Sequence, residues 1–187
     1  MNKYTVLNTR TLTLGALATA MVFLAGCMTK PVRPVNPDGT YCYRIGKSYR
    51  PKLTCTPGPI PSVSVEEDAK RFAGTAGALT VYVLRRSWND ASVVVPVKVD
   101  GADGAATIPE SLVRLRLTTG KHKLSATWDG REVGISVEGL AGDVQMVELK
   151  GTGWAWGSTF SLQAVHLDDV RERAQVSKLV ADADLSR

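Results

Sequence analysis

From Leu79 to His166 apolar side chains recur at every second position, and Gly, Asp and Asn break the pattern at short intervals. A period of two puts successive side chains on opposite faces, which a helix cannot satisfy. LTVYVLRR (79–86) is apolar on both faces, as a central strand is. SVVVPVKV (92–99) places Val93, Val95, Val97 and Val99 on one face, and Pro96 on the other predicts an edge strand. Asp100-Gly101 and Asp103-Gly104 read as turns. LVRLRLT (112–118) alternates Leu and Val with Arg, and KHKLSATW (121–128) and REVGISV (131–137) flank Asp129-Gly130, a two-residue hairpin signal. VQMVELK (144–150) and STFSLQAVH (158–166) complete seven short strands. The expected fold is mainly β, an antiparallel β-sandwich of about seven strands.

Leu167 to Leu185 leaves the alternation. Leu167, Val170 and Ala174, then Val176, Leu179 and Val180, follow helical spacing, with Asp168 and Asp169 at the favourable end of the dipole. The spacing predicts one C-terminal helix packed on the sandwich. Upstream, Ser64-Val-Glu-Glu67 fits a capping box for a short helix over 65–72, broken by Gly74 and Gly77.

The rest of the chain differs in composition. Seven of the nine prolines lie at 31, 34, 37, 51, 57, 59 and 61. Residues 28–61 carry Lys30, Arg33, Arg44, Lys47, Arg50 and Lys52 against Asp38 alone, whereas 62–187 hold 15 basic and 17 acidic side chains. Proline removes a donor, so 27–61 reads as a basic, semi-extended tether and 62–187 as the folded domain. Cys42 and Cys55 lie in this tether and pair most simply with each other in an oxidising compartment. The tether reads either as a contact element for anionic lipid, lipopolysaccharide or peptidoglycan, or as a solvated, protease-resistant linker. A net charge of +5 over 187 residues is too modest for a nucleic-acid binder.

Lys3 and Arg10 open the chain with no acidic residue, and LTLGALATAMVFL (12–24) is apolar or small. As a helix it spans about 20 Å, short of the ~30 Å hydrocarbon layer, so residues 1–26 read as a signal peptide. The segment closes on Leu24-Ala25-Gly26-Cys27, which resembles the lipobox of bacterial lipoproteins. The resemblance implies that Cys27 carries a thioether-linked diacylglycerol, is N-acylated and begins the mature chain. Met28, where inner-membrane lipoproteins carry Asp, implies the outer membrane, with the body facing the periplasm.

GALTVYVLRRSW, VKVDG, the Thr119-Gly120-Lys121-His122 turn with LSAT, LAGDVQMVEL and FSLQAVHLDDVRERAQVSKL resemble the domain of unknown function 2846 family of small envelope lipoproteins. The resemblance covers about 70–187, with Thr119 where Pro is usual. It implies a compact β-rich domain and no established activity, and it carries over no catalytic residue.

Candidate sites are few. A two-residue turn at Thr119-Gly120 would bring Arg114, Arg116, Lys121 and Lys123 to one solvent face of a 112–125 hairpin. That stripe is a candidate contact for an anionic partner, or a solvated face neutralised by Glu132 or Glu138. Trp154 and Trp156 could form a stacking platform for a sugar, or close one end of the sandwich. Gly151-Thr-Gly153 lacks the following helix that a phosphate loop needs. His122 and His166 are the only histidines; no metal-ligand spacing and no Gly-x-Ser-x-Gly occurs, so no metal, cofactor or catalytic residue is expected. The leading function is non-catalytic binding or assembly at the cell envelope, to anionic lipid, glycan or an envelope protein. An accessory subunit of a larger envelope complex is the alternative, and a hydrolase of envelope polymers the disfavoured third.

Overall fold

The computed structural model describes residues 35–45, 49–86, 94–128, 130–154 and 157–187, and the side chains of 152–154 and 157–158 are not part of that description. Pro34–Arg187 is one compact unit. The signal peptide and Cys27 lie outside the described residues.

The fold is mainly β and sandwich-like. A five-stranded sheet runs in the order β10 (Gly157–Val165), β9 (Val144–Trp154), β3 (Leu79–Arg86), β6 (Ser111–Leu117), β11 (Lys178–Leu185). It faces a four-stranded sheet ordered β5 (Ala102–Thr107), β4 (Val95–Val99), β7 (Gly120–Trp128), β8 (Arg131–Gly139). Val81, Val83, Leu115 and Val147 from one sheet meet Val97, Leu124 and Val137 from the other in the main core. A second core lies on the outer face of the five-stranded sheet. There Tyr82, Leu84, Leu112 and Met146 are covered by α1 (Val63–Ala69) and α2 (Leu167–Val176) through Ala69, Val170 and Ala174. β3 is therefore buried on both faces, as its unbroken apolar run requires.

Several elements depart from expectation. The larger sheet is mixed, because β3 pairs in parallel with β9 and β6 with β11. β4 is an inner strand, not an edge. Its ladder to β7 covers only Val97–Val99, so the donor that Pro96 lacks is not needed there. Asp100-Gly101 is the expected tight turn, with φ 52° and 86° and Val99 opposite Ala102. Asp103-Gly104 instead lies within β5, a strand of small residues that carries no alternating signal. β7 and β8 pair antiparallel as the expected hairpin requires, Trp128 opposite Arg131, while Asp129 itself lies outside the described residues. α1 is capped two residues early, Val65 N–H donating to Ser62 Oγ at 3.4 Å.

α2 stops at Val176, where the expected helix runs on to Leu185. Helical spacing from Val176 through Val180 would put all three apolar residues on one face. Instead Val176 is 76% exposed, Leu179 enters the outer core and Val180 the main core. Opposite faces for neighbouring residues are what a strand provides.

The expected tether is structured from Val35 onward. β1 (Cys42–Ile45) pairs antiparallel with β2 (Lys52–Cys55), and Cys42 is disulfide-bonded to Cys55. The prolines do not prevent this pairing because Pro51, Pro57, Pro59 and Pro61 all flank the ladder. Ile45 is buried, and Tyr43 Oη donates to the Pro109 carbonyl at 2.6 Å, so the hairpin is docked on the body. Burial raises the Tyr43 phenol well above its ordinary value.

Candidate functional site

Arg114 and Arg116 do not join Lys121 and Lys123. The 112–125 hairpin does not form: β6 pairs with β3 and β11, and β7 with β4 and β8. The chain crosses from one sheet to the other at Thr118-Thr119. A hairpin and a crossover bury the same alternate residues, so Val113, Leu115, Leu117, Leu124 and Ala126 reach the core either way. The outward residues, however, end on opposite sides of the sandwich. Lys121 and Lys123 are exposed on the four-stranded sheet, where Lys123 Nζ lies 3.6 Å from Glu132.

Arg114 and Arg116 are built into an ion network on the helix-covered side. β11 runs parallel to β6 with Asp182 beside Arg114 and Asp184 beside Arg116. Arg114 Nε and Nη2 donate to Asp182 Oδ1 and Oδ2, each at 2.9 Å. Its Nη1 donates to Asp68 Oδ2 of α1 at 2.7 Å, and Arg116 Nη1 donates to Asp182 Oδ1 at 2.6 Å. Arg114 is only 7% exposed. Burial alone would raise the Asp182 carboxyl, but the two arginines more than reverse that and hold it below the usual carboxylate range. The Arg114 hydrogen bond lowers Asp68 likewise. One buried guanidinium thus ties the last strand and the first helix to β6. The signal in the sequence is a pair of matched period-two runs, Arg-Leu-Arg at 114–116 and Asp-Ala-Asp at 182–184.

A second polar cluster brackets the sheet crossover. His122 Nδ1 lies 2.7 Å from Asp100 Oδ2, and Nε2 lies 3.0 Å from the Thr118 carbonyl. Asp100 Oδ1 also accepts from the Lys123 N–H at 2.7 Å. Two acceptors on one ring favour the doubly protonated imidazolium. Burial, the largest single effect, pulls the ring's pKa down; the Asp100 and Thr118 hydrogen bonds together outweigh it and leave it above the ordinary value. Because the folded pKa is raised, the stabilisation is complete below the unfolded ring's pKa and is lost as pH rises through the folded one. Titration of the ring by NMR is expected to give a pKa above that of free histidine, and Asp100→Asn to lower it. The melting temperature is expected to fall across the same window in the parent and to flatten there in the variant.

Trp156 lies outside the described residues, and Trp154 closes β9 with its side chain equally outside. Of the aromatic residues described, Trp128 and Phe160 pack with centroids 5.1 Å apart. The buried Arg85 guanidinium sits 5.5 Å over Phe160 and donates to the Thr107 carbonyl at 2.9 Å. Among the described residues no group of three His, Cys, Asp or Glu is placed to hold a metal ion, and no helix is long and apolar enough to cross a membrane. A groove of about 430 Å³ runs between Pro59, Ile60 and Pro61 on one side and Val180 and Asp182 on the other. Its carboxylate is already held by the two arginines.

The disulfide hairpin is the remaining feature of note. Cys42, Arg44, Leu53 and Cys55 share its outer face, while Tyr43, Ile45 and Thr54 turn toward the body; Lys52, opposite Ile45, falls on that second face but is exposed at the turn end of the ladder. Asn36 Nδ2 contacts Cys42 Sγ at 3.7 Å, so the chain enters the compact unit against the bridge. Comparison with protein-family models, with curated proteins and with solved structures finds no match.

Proposed function

We propose that this chain is a lipid-anchored lipoprotein of the bacterial envelope, outer-membrane and periplasm-facing, whose sandwich binds or assembles and does no chemistry. The observation that carries the reading is Leu24-Ala25-Gly26-Cys27 closing a basic-then-apolar leader. The disulfide Cys42–Cys55 supports it, since such bridges persist in oxidising compartments such as the periplasm. Two or three acyl chains on Cys27, at about 0.8 kcal/mol per buried CH₂, hold the protein to a bilayer without a membrane-spanning helix. Arg114, Arg116, Asp68 and Asp182 are spent on internal ion pairs that fasten β6 to β11 and to α1.

Cys27→Ser tests the anchor. The parent is expected in the membrane fraction and the detergent phase. The variant is expected to accumulate with its leader uncleaved and without detergent-phase partitioning that depends on acyl chains. Unchanged processing and partitioning in the variant would overturn the proposal.

A further inference from the structure

The geometry points to the outer face and the turn end of the β1–β2 hairpin, where Arg44 and Leu53 lie on the face and Tyr49, Arg50 and Lys52 at the turn, as the surface that lies on the anionic headgroups of the anchoring leaflet. This rests on the lipid-anchored reading above and deepens it by naming the surface and its occupant. Three independent observations carry it.

The first is reach. Asn36 lies nine positions after Cys27 and touches the Cys42–Cys55 bridge. A fully extended chain of that length spans about 30 Å at most. A diacylglyceryl group on Cys27 therefore keeps the hairpin near the headgroup region. The second is charge. Between Asp38 and Glu66 the sequence holds Arg44, Lys47, Arg50 and Lys52 and no acidic residue. Of these, Arg44, Arg50 and Lys52 are described and exposed. None of the three makes an ion pair among the described residues. Each basic side chain near an anionic leaflet adds about a fivefold preference for it, an effect that dies away within a Debye length. The third is apolar exposure. Leu53 is 62% and Tyr49 71% exposed on this one hairpin, flanked by the basic residues. An apolar residue and a tyrosine set among cations suit the boundary between headgroups and acyl chains, whereas the polar glycan of peptidoglycan gives Leu53 no comparable burial.

The test uses the full lipidated chain, its acylation checked by mass, in nanodiscs of phosphatidylglycerol and, separately, of phosphatidylcholine. Lysines are acetylated under limiting reagent and quantified by peptide mass spectrometry. Lys52 is expected to react about threefold more slowly on phosphatidylglycerol and to recover at high salt, while Lys121 on the four-stranded sheet reacts equally on both. The exposed double variant Arg44→Glu with Arg50→Glu is expected to abolish the Lys52 protection while leaving Lys121 unchanged. An acylated chain with equal Lys52 reactivity on both lipids overturns the surface alone, as does protection that survives the double variant. A chain without acyl mass overturns the anchor and this inference with it.

Discussion

Arg114→Met is expected to cost about 3 kcal/mol of unfolding free energy, roughly 10 °C in melting temperature for a domain of this size. The substitution keeps the stem that packs beside Tyr82 and removes the guanidinium. Asp182 then keeps only Arg116, and Asp68 loses its main partner. A carboxylate as sheltered as Asp182 is expensive to leave undercompensated, and that penalty, not the lost attraction, makes up most of the effect. The double variant Arg114→Met with Asp182→Leu is expected to recover a substantial part of the loss, because the charge that needed compensation is gone. Denaturant melts of the parent, both single variants and the double variant give the coupling directly. Lys121→Met and Lys123→Met, at exposed positions with at most one loose ion pair, are expected to stay within about 0.5 kcal/mol of the parent. Equal, small effects at all four positions would mean that the Arg114 network contributes nothing to the fold.

Removing the disulfide is the second large effect. Cys42 and Cys55 are 13 residues apart, and closing a loop of that size restricts the unfolded chain by about 3 kcal/mol. Cys42→Ser with Cys55→Ser is expected to lower the unfolding free energy by about that amount, and reductant to do the same to the parent while leaving the variant unchanged. The hairpin also has native contacts to lose, through buried Ile45 and the Tyr43–Pro109 hydrogen bond. Hydrogen exchange at Tyr43 and Thr54 in the double-serine variant reports whether the hairpin stays docked. Parent and variant melting together in the absence of reductant would show that the bridge is dispensable.

These two cases show what sequence reasoning could and could not reach. The mainly β sandwich with a C-terminal helix was legible because alternation in 79–165 is strong and Asp-Gly pairs mark two of its hairpins. β1, β2, β5 and β11 were not legible, each for a physical reason. β1 and β2 sit among prolines that flank the ladder without entering it. β5 is built of Ala, Asp, Gly and Thr, which carry no hydrophobic period. β11 follows a helix directly, and its Leu179-Val180 pair mimics helical spacing while serving two cores. The Arg114/Arg116/Lys121/Lys123 stripe failed for a related reason. Alternation says which residues turn inward but not which sheet a strand joins, so outward charges cannot be placed until the crossover at Thr118-Thr119 is known. The pairing of Cys42 with Cys55 needed only the count of cysteines left once Cys27 is set aside.

Intact mass spectrometry of the protein extracted from native membranes puts the lipid anchor to its most direct test. The expected species is a chain that begins at Cys27, carries a diacylglyceryl group and an amide-linked acyl chain, and is two hydrogens light for the Cys42–Cys55 bridge. A species that retains residues 1–26, or one cleaved elsewhere with no acyl mass, would contradict the anchored account.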